Sequence, residues 1–142
     1  MDLTTALEWA GNRKHAALIT LRKDGRAQSS DIVYVIKDGV FVISLTESRA
    51  KTKNMRRDNR IVLHLSSPDE WSYLSFDGTV ELSNATMSVD DATNDALVQY
   101  YEDISGGPHP DWDEYRKAMV EEGRLFARFT PASVVGQISG QS

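Results

Sequence analysis

The sequence predicts a mainly β, α+β domain: a closed or partly closed antiparallel barrel with short helices around it. Three observations predict this. Asp24-Gly25 and Asp38-Gly39 each separate two apolar alternating runs, and a tight hairpin turn needs the positive φ that Gly supplies without steric cost. The runs are mostly consecutive, without the strand–helix–strand alternation of a parallel sheet. Six or seven of them fall within 142 residues, and a sheet that long must manage its edges, which curling does.

Taken in order, residues 3 to 11 place Leu3, Ala6, Leu7 and Ala10 on one face behind Asp2 and Thr4 as caps, which reads as a short amphipathic helix. HAALITLR (15 to 22), RAQSSDIVYVIK (26 to 37) and VFVISLT (40 to 46) read as three strands joined by the two Asp-Gly turns. ESRAKTKNMRRD (47 to 58) lacks alternation and is rich in helix formers, so it reads as a helix with Ser48 near its N-cap. RIVLHLSS (60 to 67) and WSYLSFDGTVELS (71 to 83) are two more strands around a Ser-Pro-Asp-Glu connection.

From Ser88 to Ile104 the apolar residues recur at helical spacing, with Asp90 and Asp91 suited to the first turn. The loop SGGPHP ends this helix. Asp111 and Glu114 resemble a capping pair for a further helix, which Gly123 stops. RLFARFT (124 to 130) alternates Leu125, Ala127 and Phe129 against Arg124, Phe126 and Arg128, a strand pattern, and the following PASVVGQI admits one short strand. Residues 1–142 carry no repeat, low-complexity tract or linker, so they form one domain.

Composition excludes several function classes. There is no cysteine, hence no thiolate metal site, iron–sulfur cluster, disulfide or cysteine nucleophile. No apolar run approaches the roughly 18–20 residues of a membrane span, and the N-terminus carries acids where a signal peptide carries bases, so a cytoplasmic protein is expected. Common phosphate-loop, dinucleotide, zinc-protease and serine-elbow motifs are absent. His15, His64 and His109 are dispersed without carboxylate spacing, so no metal site is expected. The eleven acids between Glu81 and Glu122 read as solvated helix faces.

The net charge of −5 is unevenly spread. Between Arg49 and Arg60 six bases (Arg49, Lys51, Lys53, Arg56, Arg57, Arg60) face one acid, a local +5, leaving −10 on the rest of the chain. The acidic remainder argues against nucleic-acid and membrane partners. Arg49 and Lys51 fall in the first helical turn, where the macrodipole is positive and backbone N–H groups lack partners, so the cations cost a few tenths of a kcal/mol each. An anion there satisfies the N–H groups, the dipole and both side chains, and a phosphate fits that description. Ser44, Thr46, Ser48 and Thr52 add hydroxyls. The alternative is a solvated basic face that balances the acidic helices. The polar run Gln28-Ser29-Ser30-Asp31 within a strand, and Trp71 at a strand opening, are suited to seat and wall a flat, partly polar ring, or are ordinary surface and core.

The order HAALITLRKDGRAQSSDIVYV, VFVISLTESRAKTKNMRRDNRIVLHL, DEWSYLSFDGTVEL, an acidic helix, HPDWDEYRKAM and a closing strand resembles the pyridoxamine 5'-phosphate oxidase-like superfamily, from about residue 4 to 138. Within it, the chain is similar to the flavin/deazaflavin oxidoreductases, the probable coenzyme F420-dependent group. The resemblance implies an FMN-binding type split β-barrel and a homodimer with two cofactor sites at its interface. It implies that Arg49 and Lys51 hold the cofactor phosphate beside Ala50, with Thr52 and Asn54 as helpers. Gln28, Ser29, Ser30, Val42, Ile43 and Ser44 would contact the ring or ribityl chain, and Trp71 would approach from the barrel wall or across the interface.

The implied activity is hydride transfer between F420 and an unsaturated small-molecule acceptor, with water or Tyr73 as proton donor. FMN is the alternative cofactor, and a non-catalytic F420 carrier is the alternative role. The tail FARFTPASVVGQISGQS lacks the C-terminal basic and aromatic motifs of the vitamin-processing oxidases, which argues against pyridoxamine phosphate oxidation.

Overall fold

Two tight turns set the register of the first strands in the computed structural model, which describes residues 1–140. β1 (His15–Leu21) and β2 (Ala27–Val33) pair antiparallel across the Asp24-Gly25 turn, with Leu21 opposite Ala27. β3 (Val35–Lys37) and β4 (Val40–Thr46) flank Asp38 and Gly39, whose φ angles of 52° and 78° are both positive. That pair of signs defines the hairpin turn whose twist matches its strands.

β5 (Arg60–Ser67), β6 (Ser72–Leu82) and β7 (Arg124–Gln137) complete one seven-stranded sheet in the order β2-β1-β5-β6-β7-β4-β3, antiparallel throughout. Its two edge strands, β2 and β3, are separated in the chain by Tyr34 alone. A sheet whose first and last strands adjoin in sequence has to curl, and this one does so around a single core. The stretch 26–37, expected as one strand, is therefore two. β2 pairs with β1 as far as Val33 and β3 pairs with β4 from Val35, and Tyr34 lies between them, its ring buried, its hydroxyl donating to the Ala10 carbonyl at 2.6 Å and its N–H donating to Lys14 O at 2.9 Å. Burial raises the Tyr34 phenol well above its ordinary pKa, against a lowering from the Arg13 charge, so it stays a donor.

Alternation places Leu18, Phe41, Ile43, Leu63, Leu74, Phe76, Leu125 and Phe129 inside. Phe41 lies at the centre, with ring centroids 5.0 Å from Tyr34, 5.1 Å from Phe76 and 5.7 Å from Phe129. Edge-to-face and tilted pairs of this kind add about 0.5–1.5 kcal/mol each beyond area burial. β7 is one long strand where a strand plus a short successor was expected. The ladder shifts at Asp77/Gly78, with Ala132 as the extra residue and Pro131 at the irregularity, a place where a missing N–H costs no ladder bond. At Gly136, φ is 145° and a Cβ would lie 2.2 Å from the Tyr73 carbonyl oxygen, so only glycine lets β7 follow β6 there.

Four helices surround the sheet. α1 (Leu3–Gly11) is capped by Asp2, whose carboxylate accepts from Thr5 N, and buries Ala6 and Ala10. α2 (Ala50–Arg57) links β4 to β5. α3 (Ala92–Ser105) starts later than its apolar spacing suggested, because Asp91 is its cap. α4 (Trp112–Glu122) runs between the Asp111 cap and Gly123 as expected. α3 and α4 lie over β3, β4 and the start of β7. No helix among the described residues is long and apolar enough to cross a membrane.

Candidate functional site

The basic island divides into two halves with different duties. Arg56 binds Glu47 at 2.9 Å and donates to the Ser83 carbonyl, Arg57 reaches Leu21 O and Asn54 Oδ1, and Arg60 pairs with Asp58 at 2.8 Å. Among the described residues, the side chains of Arg49, Lys51 and Lys53 have no hydrogen-bond acceptor and no ion pair. The C-terminal half of the island thus braces the fold, and the N-terminal half is left for something else.

The N-cap of α2 is Arg49, one residue beyond the expected Ser48. Its extended backbone (φ −73°, ψ 147°) enters the helix with no side-chain cap. Thr52 N and Lys53 N donate to the Arg49 carbonyl, while the N–H groups of Ala50 and Lys51 find no acceptor among the described residues. A helix start without a capping oxygen, flanked by unpaired cations, is arranged to receive an anion.

Beside it lies a cavity of about 360 Å³, lined by Asp31, Ser44, Lys51, Tyr100, Tyr115 and Arg124 among others. Three elements converge there for reasons legible in the register. Ser44 is on the outer face of β4, and Thr46 two residues on pairs with Arg124 of β7. Glu47 N donates to Gly123 O at 2.9 Å, so the loop into α2 is tied to the start of β7. Tyr100 and Tyr115 form part of the lining, anchored by hydroxyl bonds to Val33 O and Leu97 O, each 2.9 Å. Burial raises both phenols, Tyr115 to about 12, despite the lowering influence of Arg124. Burial lowers the Lys51 amine below the ordinary lysine range, and the Arg49 and Arg124 charges lower it further against a partial restoring effect of Asp31. Lys51 is therefore an amine short of negative charge.

The strand pleat sorts the remaining expected residues. Ser29 faces outward opposite Ile19, whereas Gln28 and Ser30 lie on the opposite face of β2, across from Thr20 and Leu18. Asn54 is buried; its Nδ2 donates to Thr20 Oγ1 at 3.1 Å and to Gln28 Oε1 at 3.0 Å. Its amide hydrogens are thus committed inside the chain, and they fix the Gln28 amide so that Gln28 Nε2 remains a donor. Thr52 is likewise buried, its hydroxyl donating to the Thr46 carbonyl at 2.8 Å, so that proton holds the α2 entrance. The Ile43 side chain is core, while Val42 lies with Tyr100 in a neighbouring cavity.

Trp71 does not open the strand: it ends a 3₁₀ turn (Pro68–Glu70) in the left-handed region at φ 53°, with its side chain 79% exposed. Tyr73 pairs with Gln137, at the other end of β7 from Arg124. Neither Trp71 nor Tyr73 is among the residues that line the Lys51 cavity. Asp31 is marked in the sequence as the end of the polar run 28–31, whereas Arg124, Tyr100 and Tyr115 do not stand out there as site residues. The available signal was Arg124 on the outward side of an alternating strand directly after a helix-stopping glycine.

The pyridoxamine 5'-phosphate oxidase family model matches residues 5–136. The chain belongs to this family. Solved structures with the same fold include an F420 reductase (TM-score 0.68, 21% identity, covering 90% of this chain and 94% of that one). Another is HutZ, the heme-storage protein of Vibrio cholerae (TM-score 0.68, 14% identity, covering 99% and 96%). A third is a pyridoxamine 5'-phosphate oxidase-related, FMN-binding protein of Nostoc punctiforme (TM-score 0.65, 14% identity, covering 97% and 84%). The curled seven-stranded sheet with four short helices is the split barrel of this family, and the solved structures that share the fold are named for different ligands.

Proposed function

We propose that the protein is an oxidoreductase that binds the deazaflavin coenzyme F420 and transfers a hydride between it and an unsaturated small-molecule acceptor. The observation that carries this reading is the division of the basic island: Arg56, Arg57 and Arg60 are engaged, and Arg49, Lys51 and Lys53 are not. A phosphate-bearing cofactor fits the residues present. It supplies acceptors for the Ala50 and Lys51 N–H groups and counter-charge for Lys51, which burial and two arginines disfavour as a cation.

Arg49, Ala50 and Lys51 would hold the phosphate, Gln28 would donate from the amide that Asn54 orients, and Ser44 would contribute a hydroxyl at the cavity. When bound, a deazaflavin supplies the hydride-carrying ring, and the protein's part is binding, orientation and exclusion of water. The F420 reductase of the same fold favours this cofactor. FMN is the second reading, favoured by the FMN-binding relative, because it presents the same phosphate to the same anchor.

The protein acts in this reading as a homodimer. On the outer face of β1 and β5 the apolar side chains of Ala17, Ile19 and Val62 are half-buried, a cavity of about 370 Å³ is lined there by Ile19, Leu21 and Val62, and Trp71 and Val135 are exposed at one end. Pairing two copies through this face would remove that apolar surface from water and let Trp71 and Tyr73 reach the site of the second copy.

The test is titration of the purified protein with F420, FMN and hemin, followed by absorbance and fluorescence. F420 binding that Arg49→Ala with Lys51→Ala weakens by about 100-fold, the effect of removing two charge-assisted hydrogen bonds, supports the reading. Tight FMN or hemin binding without F420 binding, or a double variant with unchanged F420 affinity, would refute it. F420 binding without reduction of enones, imines or quinones would leave a carrier.

A further inference from the structure

Arg124 belongs to no part of the anchor described so far, yet its surroundings place it there. Its strand pairs with Thr46 at the mouth of the α2 loop, it lines the same cavity as Lys51 and Ser44, and its charge lowers the Lys51 amine's proton affinity. Its present partner is poor. Nε (3.1 Å) and Nη2 (3.1 Å) both turn to one oxygen, Oε1 of Glu122, and Glu122 is itself about half exposed. A guanidinium prefers two parallel bonds to two oxygens, a geometry that a phosphate offers and this single carboxylate oxygen does not. The Nη1 group has no partner among the described residues.

We propose that Arg124 is the third cation of the anion site and that Glu122 competes with the anion for it, so that a phosphate group entering between Lys51 and Arg124 exchanges the bifurcated Glu122 bond for a two-oxygen one. This rests on the reading of α2 as a phosphate anchor, and it adds a residue from a different element with an internal carboxylate that tunes affinity. The consequence is a site closed on two sides, by α2 and by β7, which holds a phosphate more rigidly than a helix end alone. It also makes affinity depend on Glu122, a residue that touches no ligand.

The experiment titrates inorganic phosphate into the full-length protein and follows the Ala50 and Lys51 amides and the Arg124 side-chain Nε–H by NMR. All three signals are expected to shift with one dissociation constant. Arg124→Ala should weaken phosphate by about tenfold, the loss of one charged hydrogen-bonding partner, and Arg124→Lys should recover part of it. Glu122→Gln should tighten phosphate about two- to threefold, the scale of an exposed ion pair. Arg128→Ala, the same charge change four residues along β7 on the same face as Arg124, should leave it unchanged.

Spectral dispersion of each variant reports its folding. If the Ala50 and Lys51 amides respond with the same dissociation constant in Arg124→Ala as in the parent protein, or if Glu122→Gln does not tighten binding, the Arg124 assignment is wrong while the α2 anchor stands. If those amides do not respond at all in the parent protein, the anchor itself falls and Arg124 with it.

Discussion

Asp91 accepts four hydrogen bonds at the approach to α3, and replacing it by Ala is the severest test of how that helix is held. Its Oδ1 accepts from Asn94 N and Thr86 Oγ1, both at 2.8 Å; its Oδ2 accepts from Met87 N at 2.8 Å and Ser88 N at 3.1 Å. One carboxylate therefore caps α3 and folds the loop before it. Loss of an N-cap costs about 1 kcal/mol, and the two loop N–H groups left without a charged acceptor add about 1–2 kcal/mol at a partly exposed position. Asp91→Ala should thus destabilise by about 2–3 kcal/mol, a fall in Tm of about 5–10 °C for a domain of this size.

Partial burial pushes the Asp91 carboxyl upward, but the hydrogen bonds from Asn94, Met87, Thr86 and Ser88 outweigh it and bring the pKa from 3.8 down to about 2. A depressed carboxylate contributes its stability above its unfolded value and loses it as pH falls through the folded one. The full shift corresponds to about 2.4 kcal/mol at 1.36 kcal/mol per unit, and solvent screening reduces that to about 1 kcal/mol. Thermal melts of the parent protein, Asp91→Ala and Asp91→Asn at pH 7, 4, 3 and 2 check this. The parent's advantage over Asp91→Asn should be complete above about pH 4, shrink toward pH 2 and be gone below it. A fall of less than 2 °C for Asp91→Ala at pH 7, or an advantage over Asp91→Asn that pH does not change, would refute the reasoning.

Two more substitutions separate structure from binding. Thr52→Val deletes only the hydroxyl that donates to Thr46 O, so it should cost about 1 kcal/mol in denaturant unfolding and leave phosphate affinity within about twofold; a tenfold loss of affinity would make Thr52 a ligand instead. Gly136→Ala forces a Cβ to within 2.2 Å of the Tyr73 carbonyl at a positive φ, and a cost of at least about 3 kcal/mol is expected, read as a large fall in the urea midpoint. A near-neutral result would mean that β6 and β7 separate easily there.

Local signals carried the elements whose physics is local. The Asp-Gly turns, the Asp2 cap of α1 and the Asp111-to-Gly123 span of α4 each depend on residues a few positions apart, and each is where the pattern placed it. Tyr34 was not legible as a break, because alternation continues through it. Its ring turns into a core whose other members come from β4, β6 and β7, and only closure of the sheet makes that interior exist.

The site divides along the same line. The cations at the start of α2 stand out because charge needs no partner to be noticed. The committed hydrogens of Thr52 and Asn54 were hidden, because their acceptors are Thr46, Thr20 and Gln28, brought near only by the fold. Arg124 was hidden for the same reason: an outward arginine on a strand looks solvated until the register sets it beside Lys51.

The place of β7 in the strand order bears on how this chain can be made. The last strand in the sequence is inserted between β6 and β4 and pairs with both along much of its length. A nascent chain that has emerged only as far as α4 can form the β1–β2, β3–β4 and β5–β6 hairpins, yet it presents two unpaired inner edges and an open interior, the condition that invites pairing with another chain. Closure then waits on residues 124–137, whose partners reach back across most of the sequence, the kind of topology that folds slowly. Premature termination before Arg124 should consequently yield aggregates in place of a smaller soluble barrel, and a chaperone that shields strand edges would act on this protein late in its synthesis.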